Sequence, residues 1–329
     1  MIRILKITTC LLLLFFLCGC FDYNELNMQA LVSGAGIDEE DGFVRVDVLC
    51  ASTGEEKDSA RYTSSGESFF DAVRAIGSYA DKKLYWGHTR CLIIGEQAVG
   101  RINEVLDVIL RSQDVYLDIA PVIAKGTTAV AVLDSESPAG KNTADSIADM
   151  FANEANSRRF SALRVWEILR EREKSGAYIL PSVSVRDGEP YMSGGAVVQG
   201  DKIETYLSGE QILFLSLMTA EGAGGYLPPV SISKERSASF EILRNRIRKR
   251  NTKDRLIIEQ ECVLSPAEVR GDVSDREMED AAQKYLHKGF SELVSFIKKK
   301  KLETLFGAEQ KNVEVVCRVR VSNILGGKR

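Results

Sequence analysis

The chain has 329 residues, 44% of them hydrophobic and 27% charged, and a formal net charge of −4. These are the proportions of a globular protein with room for two or three domains, not of a disordered or collagenous chain. The mild acidity argues against nucleic acid as the main partner.

The first residues fall into three zones: a positive start at Arg3 and Lys6, an almost wholly apolar run from Ile7 to Leu17, then Cys18-Gly19-Cys20. This is the pattern of a secretory signal peptide. A helix of that length rises only ~16 Å, about half of a ~30 Å bilayer core, so the run is too short to span. Leu17-Cys18-Gly19-Cys20 resembles the bacterial lipobox, in which a small residue precedes a cysteine that receives a diacylglyceryl thioether. The expectation is therefore a leader over residues 1–19, cleavage after Gly19, and Cys20 as the new N-terminus. Cys20 would carry an S-diacylglycerol group and an N-acyl chain of palmitate type; Leu17 makes Cys18 a poor rival. Two acyl chains anchor stably where one is marginal. Loss of Arg3 and Lys6 shifts the charge from −4 to −6, since residues 1–19 hold no acid. No later apolar run is long enough to span, the best candidate being Ile212 to Met218.

The mature chain opens with an expected strand over 30–37, an acidic turn from Asp38 to Gly42, and a second strand over 43–51. Near-alternation of Val44, Val46, Val48 and Cys50 with polar residues predicts a hairpin half-buried on one face. The acids of the turn read as solvated, Asp and Gly being favoured there for backbone reasons. A polar loop follows over 52–65, and Ser64-Ser65-Gly66-Glu67 has the spacing of a capping box. It predicts a helix with Phe69, Phe70, Val73 and Ile76 along one side. Thr89 to Glu96 reads as a central strand, Ile102, Val105, Leu106, Ile109 and Leu110 recur at helical spacing, and Leu117 to Gly126 is another strand. Strands interleaved with helices, plus a hairpin, predict an α+β fold of mixed and antiparallel sheets covered by helices.

The breaker cluster Ser135 to Gly140 opens a helical stretch, a candidate subdomain over 136–178. Ile147, Met150 and Phe151 mark its first helix; Leu163, Trp166 and Leu169 mark its second. Strand-like alternation returns at Pro181, and the character changes again near Gly194-Gly195. The main boundary is placed between residues 190 and 191, separating an N-terminal α+β domain (20–190) from a C-terminal one (191–329). The latter reads as a hairpin turning at Gly200-Asp201, a helix, and strands over Ser239–Ile247 and Arg255–Leu264. A long helix follows with Met278, Ala281, Tyr285, Leu293 and Phe296 on its apolar side, then a closing strand, Val313 to Ser322.

A search for chemistry returns little. There is no Gly-x-Ser-x-Gly elbow. Ala139 to Thr143 ("AGKNT") lacks the upstream glycine and the following Ser/Thr of a P-loop, and "SGAGID" lacks a third glycine. Arg270-Gly271-Asp272 is a chance triplet in a loop. Cys50, Cys91, Cys262 and Cys317 each lie in a β-like run, without metal or redox spacing, and His88 and His287 are isolated, so neither a metal site nor a cofactor is expected. The cysteines read as small apolar residues packed in strands, against three disulfide connectivities. Arg244 to Arg255 carries seven basic residues against one acid, and Lys298 to Lys301 adds four more. Arg244, Arg246, Arg248, Lys249 and Arg250 are a candidate membrane-facing cluster, each worth about 1 kcal/mol beside anionic headgroups. The alternative is a solvated edge strand.

With Cys20 placed, "GCFDYNEL" resembles the start of the Ger(x)C lipoproteins, the C subunits of spore germinant receptors. Asp22, Glu25 and Leu26 fit that pattern, and Phe21 stands where the family usually has Trp. "GAGIDEEDGFVRVDV", "SGESFFDAVRAI", "GHTRCLIIGEQAVG" and "DIAPVIAKGTT" agree in order. "SGGAVVQGDKIETYLSGEQ" and "NVEVVCRVRVSNILG" resemble the family's later strands. One departure is the short link from Leu302 to Gln310, where the family has a longer segment. The resemblance implies a non-enzymatic, lipid-anchored protein on the outer face of the spore inner membrane. It would act with integral membrane A and B subunits in nutrient-triggered germination, touching lipid through Cys20. The competing readings are a solute-binding lipoprotein of a membrane transporter, which needs two α/β lobes about a cleft, and an exported lipoprotein enzyme. The sequence names no nutrient.

Overall fold

The computed structural model describes residues 28–51, 60–137, 139–308 and 311–322. A nine-stranded mixed sheet and a four-stranded sheet organise these residues, an α+β arrangement.

The first sheet starts with the hairpin β1 (Gln29–Glu40) and β2 (Phe43–Cys50). Asp41 and Gly42 both take positive φ at its two-residue turn, the geometry that matches strand twist. The order is β3 (Arg61–Gly66), β2, β1, β5 (Cys91–Gly95), β6 (Ala120–Ala124), β7 (Ala177–Arg186), β8 (Glu189–Gln199), β9 (Lys202–Leu207), with the short β4 (Lys83–Tyr85) beside the start of β1. At its centre β1, β5, β6 and β7 run parallel. Their near-continuous apolar sequence follows from burial on both faces. Leu92 and Ile94 pack with α1 (Phe69–Ile76), α2 (Ile102–Arg111) and α6 (Val165–Ser175) on one face. Cys91 and Ile93 pack with α3 (Ala129–Leu133) and α4 (Thr143–Phe151) on the other. The helical stretch at 136–178, which includes the short α5 (Glu154–Ser157), therefore divides between two cores.

Four local expectations change. The loop expected over 52–65 contains β3 (Arg61–Gly66), an edge strand polar enough to read as coil. Ser64 lies in that strand; the cap of α1 is Ser68, whose hydroxyl accepts from the Asp71 amide. Asp38 is buried, and its carboxylate accepts from the Ala129 and Val130 amides at 2.9 and 3.0 Å, holding the N-terminus of α3. Phe70 and Leu110 turn outward and are 56% and 47% exposed.

The boundary expected at 190/191 falls inside β8 (Glu189–Gln199), which pairs with β7 and with β9 (Lys202–Leu207). Gly194-Gly195 serves close packing there: Gly194 has φ +114°, and a Cβ on it would lie 2.2 Å from the Leu207 carbonyl oxygen. The chain leaves the sheet at Ser208, which with Gln211 forms a capping box for α7 (Gly209–Thr219). Helix α7 buries Ile212, Leu213, Phe214, Leu215, Leu217 and Met218. A helix apolar all round must be covered on several sides, and α7 packs against β8 as well as against α8 and β11 of the second unit.

The second sheet has the order β10 (Tyr226–Ser231), β11 (Ser237–Asn251), β12 (Arg255–Arg270), β13 (Asn312–Val321). Helix α8 (Asp275–Lys299) joins the parallel strands β12 and β13. Its buried row is Met278, Ala282, Leu286, Phe290, Leu293 and Ile297. Ala281, Tyr285 and Phe296, expected on the apolar side, flank that row half-buried. The short link after α8 tucks Leu302, Phe306 and Ala308 into the same core.

Candidate functional site

Cys20 and Gly19 lie outside the described residues. The first described residue is Met28, 65% exposed, followed at once by β1. No helix among the described residues is long and apolar enough to cross a membrane.

The basic cluster is on the outer face of the second sheet. In β11, alternation puts exposed Arg244, Arg246, Arg248 and Arg250 on one side. Lys249 turns the other way: its ammonium donates to the Phe306 carbonyl at 3.1 Å, and burial lowers its pKa, with Lys174 adding repulsion. The structure thus brings four of the five predicted residues together on one face and places the fifth on the other. Exposed Arg318 and Arg320 of β13 extend the face, and Glu259, Glu261 and Glu314 interrupt it. Arg250 pairs with Glu259 at 2.7 Å and Arg320 with Glu261 at 3.7 Å. Arg244, Arg246, Arg248 and Arg318 have no carboxylate partner among the described residues. The surface is excess-positive but mixed in sign.

Sequence reasoning missed a second surface. Between α1, α2 and the segment carrying Trp86 lies an apolar groove of about 770 Å³. Phe70, Val73, Leu84, Trp86, Val108 and Val115 line it. Arg74, Lys82, Lys83 and Arg111 stand around it with Asp81, Asp107 and Asp114. Arg111 is paired with Asp107 at 2.7 Å, and Asp81 accepts from the Tyr62 hydroxyl at 2.6 Å. The Tyr62 bond holds the Asp81 carboxyl below its usual range. A large apolar concavity is the default location for recognition. A signal for it existed: Phe69-Phe70 is an adjacent apolar pair within α1. Neighbours on a helix point about 100° apart, so one member of such a pair is surplus to the core.

Among the described residues no group of three or more His, Cys, Asp or Glu gathers as a metal site. Cys50, Cys91, Cys262 and Cys317 are free and buried. Burial pushes the Cys50 thiol up to about 11 and the other three to about 12, far from a reactive thiolate. A buried charged knot ties β2 to β3: Asp47 accepts from Arg45 and Arg61, both at 2.9 Å, and from Thr63 at 2.6 Å. Burial works against its charge, but the bonds from Thr63, Arg45 and Arg61 prevail and lower its pKa.

The model of the spore germination protein N-terminal domain matches residues 22–185. By this domain the chain belongs to the Ger(x)C family of spore germination proteins. It is similar to spore germination protein B3 of Bacillus subtilis (strain 168), with 21% identity over 268 residues, 77% of this chain and 70% of that protein. The crystal structure of the GerBC protein shares its fold, with a TM-score of 0.53 at 14% identity, over 92% of this chain and 100% of that one.

Proposed function

We propose that this chain is the lipid-anchored C subunit of a spore germinant receptor. In this reading Cys20 holds it on the outer face of the spore inner membrane, where it works with integral membrane A and B subunits in nutrient-triggered germination. The observation that carries the reading is one of order. The family's domain begins at residue 22, directly after a Gly19-Cys20 lipobox, so a single short stretch supplies both anchor and module. A solute-binding lipoprotein would need paired lobes flanking a cleft. Here the groove lies within one unit, between two helices of the same sheet, which favours the receptor reading.

The test is deletion of the gene, complemented with wild-type or Cys20→Ala protein, followed by germination against a panel of nutrients. Loss of response to at least one nutrient, restored only by the wild type, is expected. Normal germination with every nutrient in a strain without paralogues refutes the reading. Mass spectrometry of the N-terminal peptide from the native host tests the anchor separately.

A further inference from the structure

We propose that the α1–α2 end of the first unit is the face this protein lays on the lipid bilayer, with its apolar groove at the boundary between headgroups and acyl chains. Three observations converge on that end. The first is where apolar surface is left uncovered. Of the ten large hydrophobic side chains exposed among the described residues, Phe70 lines the groove itself, beside half-buried Val73, Leu84, Trp86, Val108 and Val115, while Tyr79, Leu110 and Tyr116 lie on the flanking segments outside its lining. Scattered exposure needs no explanation, whereas a cluster marks a contact.

The second is composition. The rings of Phe70 and Trp86, aliphatic side chains, and Arg74, Lys82, Lys83 and Arg111 set among Asp81, Asp107 and Asp114 are the chemistry of an interfacial membrane contact. Rings settle at headgroup level and cations face anionic lipid. The sheet face of β11 to β13 has the larger excess of cations, but it has no apolar groove of this kind to seat acyl chains.

The third is the leash, and here the inference rests on the reading of Cys20 as the lipid anchor. Met28 follows Cys20 by eight positions, and eight residues reach at most about 29 Å when fully extended. Gln29 pairs with Lys83, whose residue lines the groove. The chain therefore leaves the fold at the groove's rim, and the bilayer lies within that reach of it.

Trp86 in the groove and Trp166 elsewhere are the two tryptophans of the chain. Protein starting at Phe21, carrying Trp166→Phe and no lipid, thus has one fluorescent reporter at the proposed contact. It is mixed with vesicles of phosphatidylglycerol and phosphatidylcholine bearing brominated acyl chains. Quenching of Trp86 is expected. The variant Phe70→Asp/Arg74→Glu should lose at least tenfold in vesicle partitioning while Arg246→Glu/Arg248→Glu retains it. Both altered pairs are exposed, and an unchanged thermal transition verifies folding. Absence of quenching in folded protein overturns the proposal. So does binding lost only in the sheet variant, which returns the role to β11. Capture of the membrane subunits through Phe70 and Arg74 without any vesicle binding would make the groove a protein site, and also overturns it. Vesicle binding is read without the lipid anchor, and germination is read without vesicles, so the two proposals fail independently.

Discussion

Replacing Gly289 with alanine should destabilise the protein, although the exchange favours the helix. Gly289 lies in the middle of α8, facing the ring of Phe214 on α7. A Cβ there would stand 2.2 Å from Phe214 Cζ and 2.3 Å from Cε2, so the ring must retreat by more than an ångström. It has nowhere easy to go. Phe214 is 6% exposed and packs against Tyr285 and Phe290, with ring centroids 5.7 and 5.8 Å away.

Glycine to alanine within a helix gains about 1 kcal/mol. Overpacking a filled core costs about 1–3 kcal/mol, and disturbing the two ring pairs adds roughly 1 kcal/mol. The expected net loss is about 2 kcal/mol, read as a lower urea midpoint for the second unit by circular dichroism. Phe214→Leu removes the ring atoms in question. The double variant should therefore be more stable than the sum of the single changes predicts, by about 1 kcal/mol or more. A raised midpoint for Gly289→Ala alone, or strict additivity in the cycle, would refute the reasoning.

Asp47→Asn should cost about 2 kcal/mol, below the full penalty for a broken buried pair because Arg45 and Arg61 are partly exposed. Because the folded carboxyl titrates below its ordinary value, its contribution is complete above the unfolded pKa near ~3.9 and fades as pH falls through the lower folded value. Acid unfolding of the variant should accordingly be less steep, and an identical acid limb would count against the knot. Asp38→Ala removes two amide partners from α3 and should cost about 2 kcal/mol. Gly95→Ala, whose Cβ would meet Asp38 Oδ1 at 2.1 Å, should destabilise as well, and less so in the Asp38→Ala background. In protein starting at Phe21, Cys50, Cys91, Cys262 and Cys317 should resist a thiol reagent at pH 8 until denaturant is added. Fast labelling of the folded protein would show that the thiols are reachable.

What the sequence made legible is what short-range chemistry decides. Asp41-Gly42 and Asp187-Gly188 take the positive φ that a tight hairpin demands, and few other residues would serve. β5 and β6 are fully buried strands whose apolar runs announce them. The closing strand and the long helix follow from period alone, but the helix's rotation does not. Ala281, Tyr285 and Phe296 form as apolar a row as Ala282, Leu286 and Ile297, and the choice falls to α7, which presses Phe214 onto Gly289. Asp38 looks like any acid in a turn; only the approach of α3, more than ninety positions downstream, buries it and uses its charge. Arg61 to Gly66 shows the reverse case, where position at a sheet edge lets a polar segment form a strand that no hydrophobic pattern signals.

The same reasoning bears on which surface is functional. The basic cluster was visible because like charges adjacent in sequence are easy to see, yet a strand sends alternate residues to opposite faces. It therefore sends Lys249 to the opposite face, where it reaches the Phe306 carbonyl, and intersperses acids from β12 and β13. The groove was less visible because its parts come from α1, Trp86 and α2, each of which satisfies a core on its own. Yet Phe70, at the groove, is more apolar than an amphipathic helix over one sheet requires. A lone exposed apolar side chain is ordinary, but one at the lip of an apolar concavity is placed where a contact surface would need it.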